Sequence, residues 1–109
     1  MVVPRLNIPL VLEEKERQPD TMGGYRVVWR SRGIVHALMQ RGVGRLRGAE
    51  AGPESVTDWK ITVRAFPLGD PRRPLPGQRF RMGARLIRIE AVAEVGATGR
   101  HLIVTGQEE

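Results

Sequence analysis

The stretch from Arg79 to Val92 constrains the fold more than any other part of the chain, because it contains two alternating segments separated by a glycine. Phe80 and Met82 alternate with arginines in the first segment. In the second segment, the apolar side is formed by Ile87, Ile89 and Ala91. A period of two is typical of half-buried strands, and glycine adopts the backbone of a tight reversal at little steric cost. The stretch therefore predicts a β-hairpin that turns at Gly83.

The other apolar runs supply the partner strands that this hairpin needs. Two isolated strands are marginally stable in water, so further strands must cover their apolar side. Alternating apolar residues predict strands at 8–12, at 25–39 with a bulge or bend near Gly33, at 56–66 and at 101–105 before an acidic tail. We interpret five large side chains as core or interface anchors: Trp29, Trp59, Phe80, Ile87 and Ile89.

Short strands separated by Gly/Pro turns are typical of small barrels and sandwiches. The sequence therefore predicts one mainly β domain over residues 1–109, a small β-barrel or sandwich of five to six antiparallel strands with one long glycine-rich loop. Five glycines or prolines interrupt residues 41–55, which predicts a flexible loop without strong structure. Four prolines and two glycines within residues 67–78 predict a stiff, extended connection.

The chain is strongly basic, with a net charge of +6, and only two of its 18 cationic residues are lysines. A GC-rich genome also favours arginine over lysine, so the total alone does not indicate a partner. The distribution is more informative, because no acid lies between Asp70 and Glu90. Six arginines lie there, namely Arg72, Arg73, Arg79, Arg81, Arg85 and Arg88. We expect them to give one side of the hairpin a positive field that contacts an acidic protein surface in an assembly.

A second set of cations lies in the predicted loop. Arg41, Arg45 and Arg47 are spaced by Gly42 and Gly44, which gives the charges freedom to reach a large partner such as a DNA phosphate backbone. The alternative interpretation is that these charges only keep the loop solvated. The Gly42 and Gly44 pair does not form a nucleotide-binding loop, because no Gly-Lys-Ser/Thr ending follows it.

No set of residues predicts catalysis, a metal site or a cofactor. His36 and His101 are far apart in the sequence, and each lies in a strand pattern. The absence of cysteine excludes disulfides, zinc-thiolate sites and cysteine nucleophiles. The apolar runs are far shorter than the roughly 20 residues that cross a bilayer as a helix, so we expect no membrane partner.

The order of these features resembles the head-tail joining, or head-completion, proteins of long-tailed bacteriophages. The matching features, in order, are a first strand, Asp20 and Gly23-Gly24-Tyr25 before Trp29, an apolar strand, Gly44-Arg45, a strand from Trp59 to Arg64, a proline-rich stretch, and Phe80, Gly83, Arg85, Ile87 and Ile89 in the hairpin. The resemblance covers about residues 5 to 108. The sequence departs from the family pattern at His36, Leu46 and Ile87, where Trp, Glu and an aromatic residue are common.

The resemblance implies a non-enzymatic stopper protein in the neck of a phage or of a phage-like gene transfer agent, assembled in the bacterial cytoplasm. It implies a ring, expected to be a hexamer, between a portal or adaptor complex and a tail terminator or tail tube. Packaged double-stranded DNA would occupy the lumen, and the arginines of residues 41–55 would face it. Two alternatives stay open, a nucleic-acid-binding barrel of the oligonucleotide-binding type and a tail-terminator ring.

Overall fold

A computed structural model describes residues 5–42, 45–47 and 54–109. These residues contain eight strands and no helix. The strands are β1 (Ile8–Pro19), β2 (Tyr25–Arg41), β3 (Arg45–Arg47), β4 (Glu54–Val56), β5 (Asp58–Arg64), β6 (Arg79–Met82), β7 (Arg85–Val95) and β8 (His101–Glu108). Six of them form a closed barrel in the order β1-β2-β5-β8-β7-β6, and β3 pairs with β4 in a separate two-stranded sheet. The predicted mainly β fold, a small barrel or sandwich of five to six antiparallel strands, is confirmed, and of the two architectures the chain forms the barrel.

The barrel core follows from the alternation along each strand. Residues at every second position of β1, β2, β5 and β8 point inward, where they are removed from water. The fully buried side chains include Leu10, Leu12, Val35, Ile61, Val63, Phe80, Ile87, Leu102 and Val104. Of the five side chains interpreted as core or interface anchors, Phe80, Ile87, Ile89 and Trp59 lie in the core. Trp29 does not, since it is half-buried and lies outside the core cluster.

Two β-bulges interrupt the regular pairing of the long strands. Leu12 pairs with Gly33 and Glu13 pairs with Ser31, so Arg32 is an extra residue on β2. This confirms the irregularity expected near Gly33. A second bulge, at Glu90 of β7, was not predicted. It reverses the alternation, so that Ala91 is exposed and Val92 is half-buried against the core. Placing Ala91 on the same side as Ile89 was therefore wrong.

Beyond the first bulge, the β1–β2 hairpin projects from the barrel. β1 pairs with β6 only over Val11–Glu13, and β2 pairs with β5 only over Ala37–Arg41. Residues 14–19 and 25–30 pair with each other alone within the described residues. We call residues 14–30 the arm. Its turn is fixed by Asp20, whose Oδ1 accepts hydrogen bonds of 2.8 Å from the N–H groups of both Met22 and Gly24.

The predicted connection at residues 67–78 contains neither strand nor helix, as expected, but it is not extended. The N–H groups of Asp70, Arg73 and Gln78 each donate to the carbonyl three residues earlier, so the segment is a series of tight turns. Proline fixes φ near −65°, which suits such turns as well as extended backbone. The proline content alone therefore did not distinguish the two conformations.

Gly106 of β8 leaves no room for a side chain. A Cβ there would lie 2.8 Å from the carbonyl oxygen of Arg88 and 2.8 Å from Cγ2 of Ile87. We expect Gly106→Ala to lower the free energy of unfolding by about 2–3 kcal/mol, because the backbone of β7 must move. Gly83→Ala is the control, since its Cβ would meet open space. The only expected loss is the strain of alanine at a φ of 62°, which lowers the free energy of unfolding by about 1 kcal/mol. Equal losses in chemical denaturation would contradict the packing argument.

Candidate functional site

Residues 42–57, which we call the excursion, connect β2 to β5 along the chain. At its foot, the N–H of Gly42 donates to the carbonyl oxygen of Asp58 at 2.8 Å, and Arg41 pairs with Trp59. Farther out, β3 and β4 pair in antiparallel register, with Leu46 opposite Ser55. The prediction of a loop without strong structure over residues 41–55 is therefore wrong for residues 45–47, 54 and 55, whereas Val56 was predicted to lie in a strand. Gly44, which was expected to face the lumen, lies outside the described residues.

A cluster around Trp59 fixes the foot of the excursion to the barrel. The indole Nε1 donates to Oε1 of Glu108 at 2.9 Å, and Arg85 donates to both carboxylate oxygens of Glu108, at 2.6 and 3.0 Å. The guanidinium carbons of Arg41 and Arg85 lie 5.2 and 5.5 Å from the Trp59 ring centroid. The hydrogen bond from Arg85, followed by that from Trp59, lowers the pKa of Glu108. The cluster joins β2, β5, β7 and β8 at one point.

A second cluster lies where the arm leaves the barrel. Glu13 is only 7% exposed, and its two carboxylate oxygens accept hydrogen bonds from Nε of Arg79 at 2.7 Å and from Nε of Arg81 at 3.0 Å. Burial raises the pKa of Glu13, but the hydrogen bonds and charges of the two arginines lower it by more, so the pKa lies below its ordinary value. The Arg79 guanidinium carbon also lies 4.0 Å from the ring centroid of Trp29.

The other arginines of the 72–88 group also contact neighbours within the chain. Arg72 donates from Nε and Nη2 to the two oxygens of Asp70, at 3.2 and 3.1 Å, and these bonds lower the pKa of Asp70. Arg73 donates to the carbonyl oxygen of Phe66 at 2.7 Å and lies 3.6 Å from a carboxylate oxygen of Glu94. Arg88 donates to Oε1 of Gln107 at 3.1 Å.

These contacts correct the interpretation of an acid-free positive field. Five of the six arginines pair with a carboxylate from within the chain. The acids come mostly from segments that are distant in the sequence, such as Glu13 on β1 and Glu108 on β8, which is why counting charges between residues 70 and 90 missed them. The expectation that these arginines contact a partner in an assembly stays a prediction.

The arm presents two different faces. On one face, Glu14 pairs with Arg32 and Glu16 pairs with Arg30, so the charges neutralise one another. On the other face, Tyr25 and Val27 are 65% and 51% exposed. Met22, at the tip, is 89% exposed. Large apolar side chains at this exposure on one projection are typical of a surface that another molecule covers.

The described residues hold few groups that suggest chemistry. Among residues 5–42, 45–47 and 54–109, no three His, Asp or Glu side chains are placed to hold a metal ion. No membrane-spanning helix occurs in the described part of the chain. His36, one of the two histidines considered above, lines a surface groove together with Arg64 and Arg72.

The comparisons with known proteins agree with the geometry. The model of the phage head completion protein family matches residues 1–109. The chain belongs to the phage head completion protein family. A chain in a solved structure of the virion of a native gene transfer agent particle is 46% identical to it, with a TM-score of 0.82 over 98% of this chain and 97% of that one. No curated protein matches significantly.

Membership of this family confirms the resemblance stated above on the order of sequence features. A head completion protein is a structural component of a phage-type particle, so the predicted virion location and head-tail structural role are confirmed at that level. The family is structural, which points away from enzymatic activity. None of the six arginines, the excursion or the arm receives a role from the comparisons.

Proposed function

We propose that this head completion protein forms a ring at the neck of a phage-like particle, closes the DNA exit channel after packaging and provides the surface on which the tail docks. The observation that carries the proposal is the family match over residues 1–109 together with the 46% identity to a chain of a gene transfer agent virion. The ring, expected to be a hexamer, would contact a portal or adaptor complex on the head side and a tail terminator or tail tube on the other.

The barrel suits such a role because the arm projects from it and the strands β3 and β4 of the excursion form a separate sheet. Six strands bury one core, so the arm and the excursion are not needed to complete it. The excursion carries Arg45 and Arg47 on β3 and is held at its foot by the Trp59 cluster. A rigid foot would direct a cationic segment to one place in every copy of the ring. We infer that this place is the lumen, where the segment meets packaged double-stranded DNA.

Deletion of the gene tests the proposal. In producer cells that lack it, we expect heads to assemble and package DNA but to carry no tails and to lose their DNA. Electron microscopy counts the tailed particles, and nuclease-resistant DNA per head measures retention. Expression of the wild-type protein in the same cells should restore both quantities. Tailed, DNA-containing particles in the absence of the protein would contradict the proposal.

The isolated protein provides a second measurement, which separates this proposal from a nucleic-acid-binding barrel. A subunit that meets DNA only within a ring should bind a short duplex weakly at physiological salt. Tight binding by the isolated subunit, with a steep loss of affinity as salt rises, would favour direct nucleic-acid binding instead.

A further inference from the structure

A groove lies on the outer surface of the barrel near the base of the arm. It has a volume of about 280 Å³ and is lined by Leu6, Ile34, His36, Arg64, Phe66 and Arg72. Ile34 is 57% exposed although it is a large apolar residue. The lining contains no carboxylate and combines an apolar part with the imidazole of His36 and two guanidinium groups. Arg72 already pairs with Asp70, so Arg64 is the arginine that a ligand would meet. Since a water molecule occupies about 30 Å³, the groove has room for a whole side chain. Its lining suits an apolar side chain that has a negatively charged group beside it.

The tip of the arm offers such a side chain. Met22 is 89% exposed in the turn that Asp20 fixes. Only Oδ1 of Asp20 accepts the two hydrogen bonds within the turn. The carboxylate therefore brings a negative charge to the tip beside the apolar side chain of Met22. Methionine is unbranched and adapts to irregular apolar pockets, so it suits a groove of mixed lining.

The arm cannot place Met22 in the groove of its own subunit. Ile34 and Tyr25 are nine positions apart on one extended strand, and a strand rises about 3.3 Å per residue, which separates the tip from the groove by roughly 30 Å. The tip and the groove are therefore a complementary pair at distant places on one surface. Contacts between such pairs join identical subunits head to tail, and they close into a ring when the rotation between neighbours allows it.

We propose that the arm tip of one subunit inserts Met22 into the groove of the next copy of this chain, where Asp20 faces Arg64 and His36. This contact rests on the proposed ring and specifies how neighbouring subunits join. Glu14 and Glu16, farther along the arm, already pair with Arg32 and Arg30, so Asp20 is the acid that the arm brings to the groove. The arm thus serves as the link between subunits, and the excursion remains free for the channel.

The chain lacks cysteine, so disulfide crosslinking tests this contact directly. Met22→Cys and Ile34→Cys are introduced together, and the variant replaces the wild-type protein in producer cells. After mild oxidation of purified particles, we expect a ladder of linked subunits on a non-reducing gel that collapses on reduction. The roughly 30 Å between the two positions within one subunit excludes an internal disulfide, so each bond joins two copies.

Matched variants define the result that overturns the proposal. Met22→Cys with Leu68→Cys is the control, because Leu68 is 84% exposed but does not line the groove. An equal ladder from this pair, dimers from Met22→Cys alone, or no ladder from the test pair would each overturn it. If the double variant does not enter particles, subunits with Met22→Cys and subunits with Ile34→Cys are co-expressed, and linked dimers are the expected product.

The same particles separate this inference from the proposed function. Particles that contain the protein, carry tails and retain DNA, yet show no crosslink in either format, would refute the contact and leave the stopper role intact. If wild-type subunits are absent from purified heads and tailed particles, the stopper role itself fails. Asp20→Asn keeps the Oδ1 acceptor and removes only the charge. In the crosslinking background it should slow disulfide formation at least about threefold, and an unchanged rate would overturn the part of the proposal that concerns Asp20.

Discussion

Replacing Glu13 with glutamine is expected to lower the free energy of unfolding by about 2–4 kcal/mol, because removing one partner leaves the other charges uncompensated in a buried site. The glutamine keeps the size of the side chain but removes the charge that faces two guanidinium groups. The cost is larger for Arg79, whose side chain is only 17% exposed and gains little hydration when its partner is removed. The side chain of Arg81 is 42% exposed, so water replaces part of the lost interaction. Chemical denaturation at neutral pH measures the loss.

The dependence on pH gives the same prediction a second readout. The pKa of Glu13 is lowered from its ordinary value of 4.5. A carboxylate of this kind stabilises the fold fully above its ordinary pKa, and the stabilisation disappears as the pH falls through the pKa of the folded state. The difference between wild type and Glu13→Gln should therefore be largest at neutral pH and should shrink as the pH falls below 4.5. Some acid sensitivity will remain in the variant, because the pKa values of Asp70 and Glu108 are also lowered.

Glu14→Gln is the matched control for this experiment. Glu14 is the next residue on β1 and pairs with Arg32, but the two side chains are 43% and 38% exposed. Exposed pairs contribute little, so the expected loss is less than about 1 kcal/mol. Equal losses for the two glutamine variants would show that Glu13 does not act as a buried partner of Arg79 and Arg81, and the explanation of the joint between arm and barrel would fail.

The strands could be predicted from the sequence because their signal is local. Alternation with a period of two located β1, β2, β5 and the β6–β7 hairpin, and single glycines marked the turn at Gly83 and the bulge beside Gly33. The bulge at Glu90 carries no glycine or proline, and the apolar residues continue through it. The alternation therefore seemed unbroken, and Ala91 was assigned to the wrong side.

The two charge clusters could not be predicted, because their members meet only when the barrel closes. Glu13 and Arg79 are 66 positions apart, and Trp59 and Glu108 are 49 apart. In the sequence, Glu13 begins a polar run and Glu108 belongs to an acidic tail, and both patterns indicate solvent exposure. The extension of β8 through Glu108 follows the alternation of Leu102, Val104 and Gly106, which is the signal that could have placed Glu108 next to Trp59.

Neutralising the arginines of the excursion is expected to have the largest effect on function. If Arg41, Arg45 and Arg47 hold DNA phosphates in the channel, changing all three to alanine should let packaged DNA leave tailless heads. The nuclease-resistant DNA per head should fall to the level of heads that lack the protein. The effect is large because the loss repeats in every copy of the proposed ring, and each phosphate contact adds to the total. Raising the salt concentration should increase leakage from wild-type heads and change little in the triple variant.

Arg41 also lies near the Trp59 ring, so its removal alone could loosen the foot of the excursion. The double variant with Arg45→Ala and Arg47→Ala keeps that contact and isolates the two charges on β3. It should leak to an intermediate extent, with the thermal stability of the isolated subunit unchanged.

A second triple variant controls for the total charge. Arg5, Lys60 and Arg100 are exposed and lie outside both the excursion and the arm, so changing them to alanine removes the same number of positive charges from other parts of the surface. These heads should retain DNA as wild-type heads do, because only cations close to the DNA contact its phosphates. Salt screens the attraction between charges that are more than about 10 Å apart. If the Arg41, Arg45 and Arg47 variant retains DNA equally well, the excursion does not face DNA, and the closure of the channel must come from another part of the subunit.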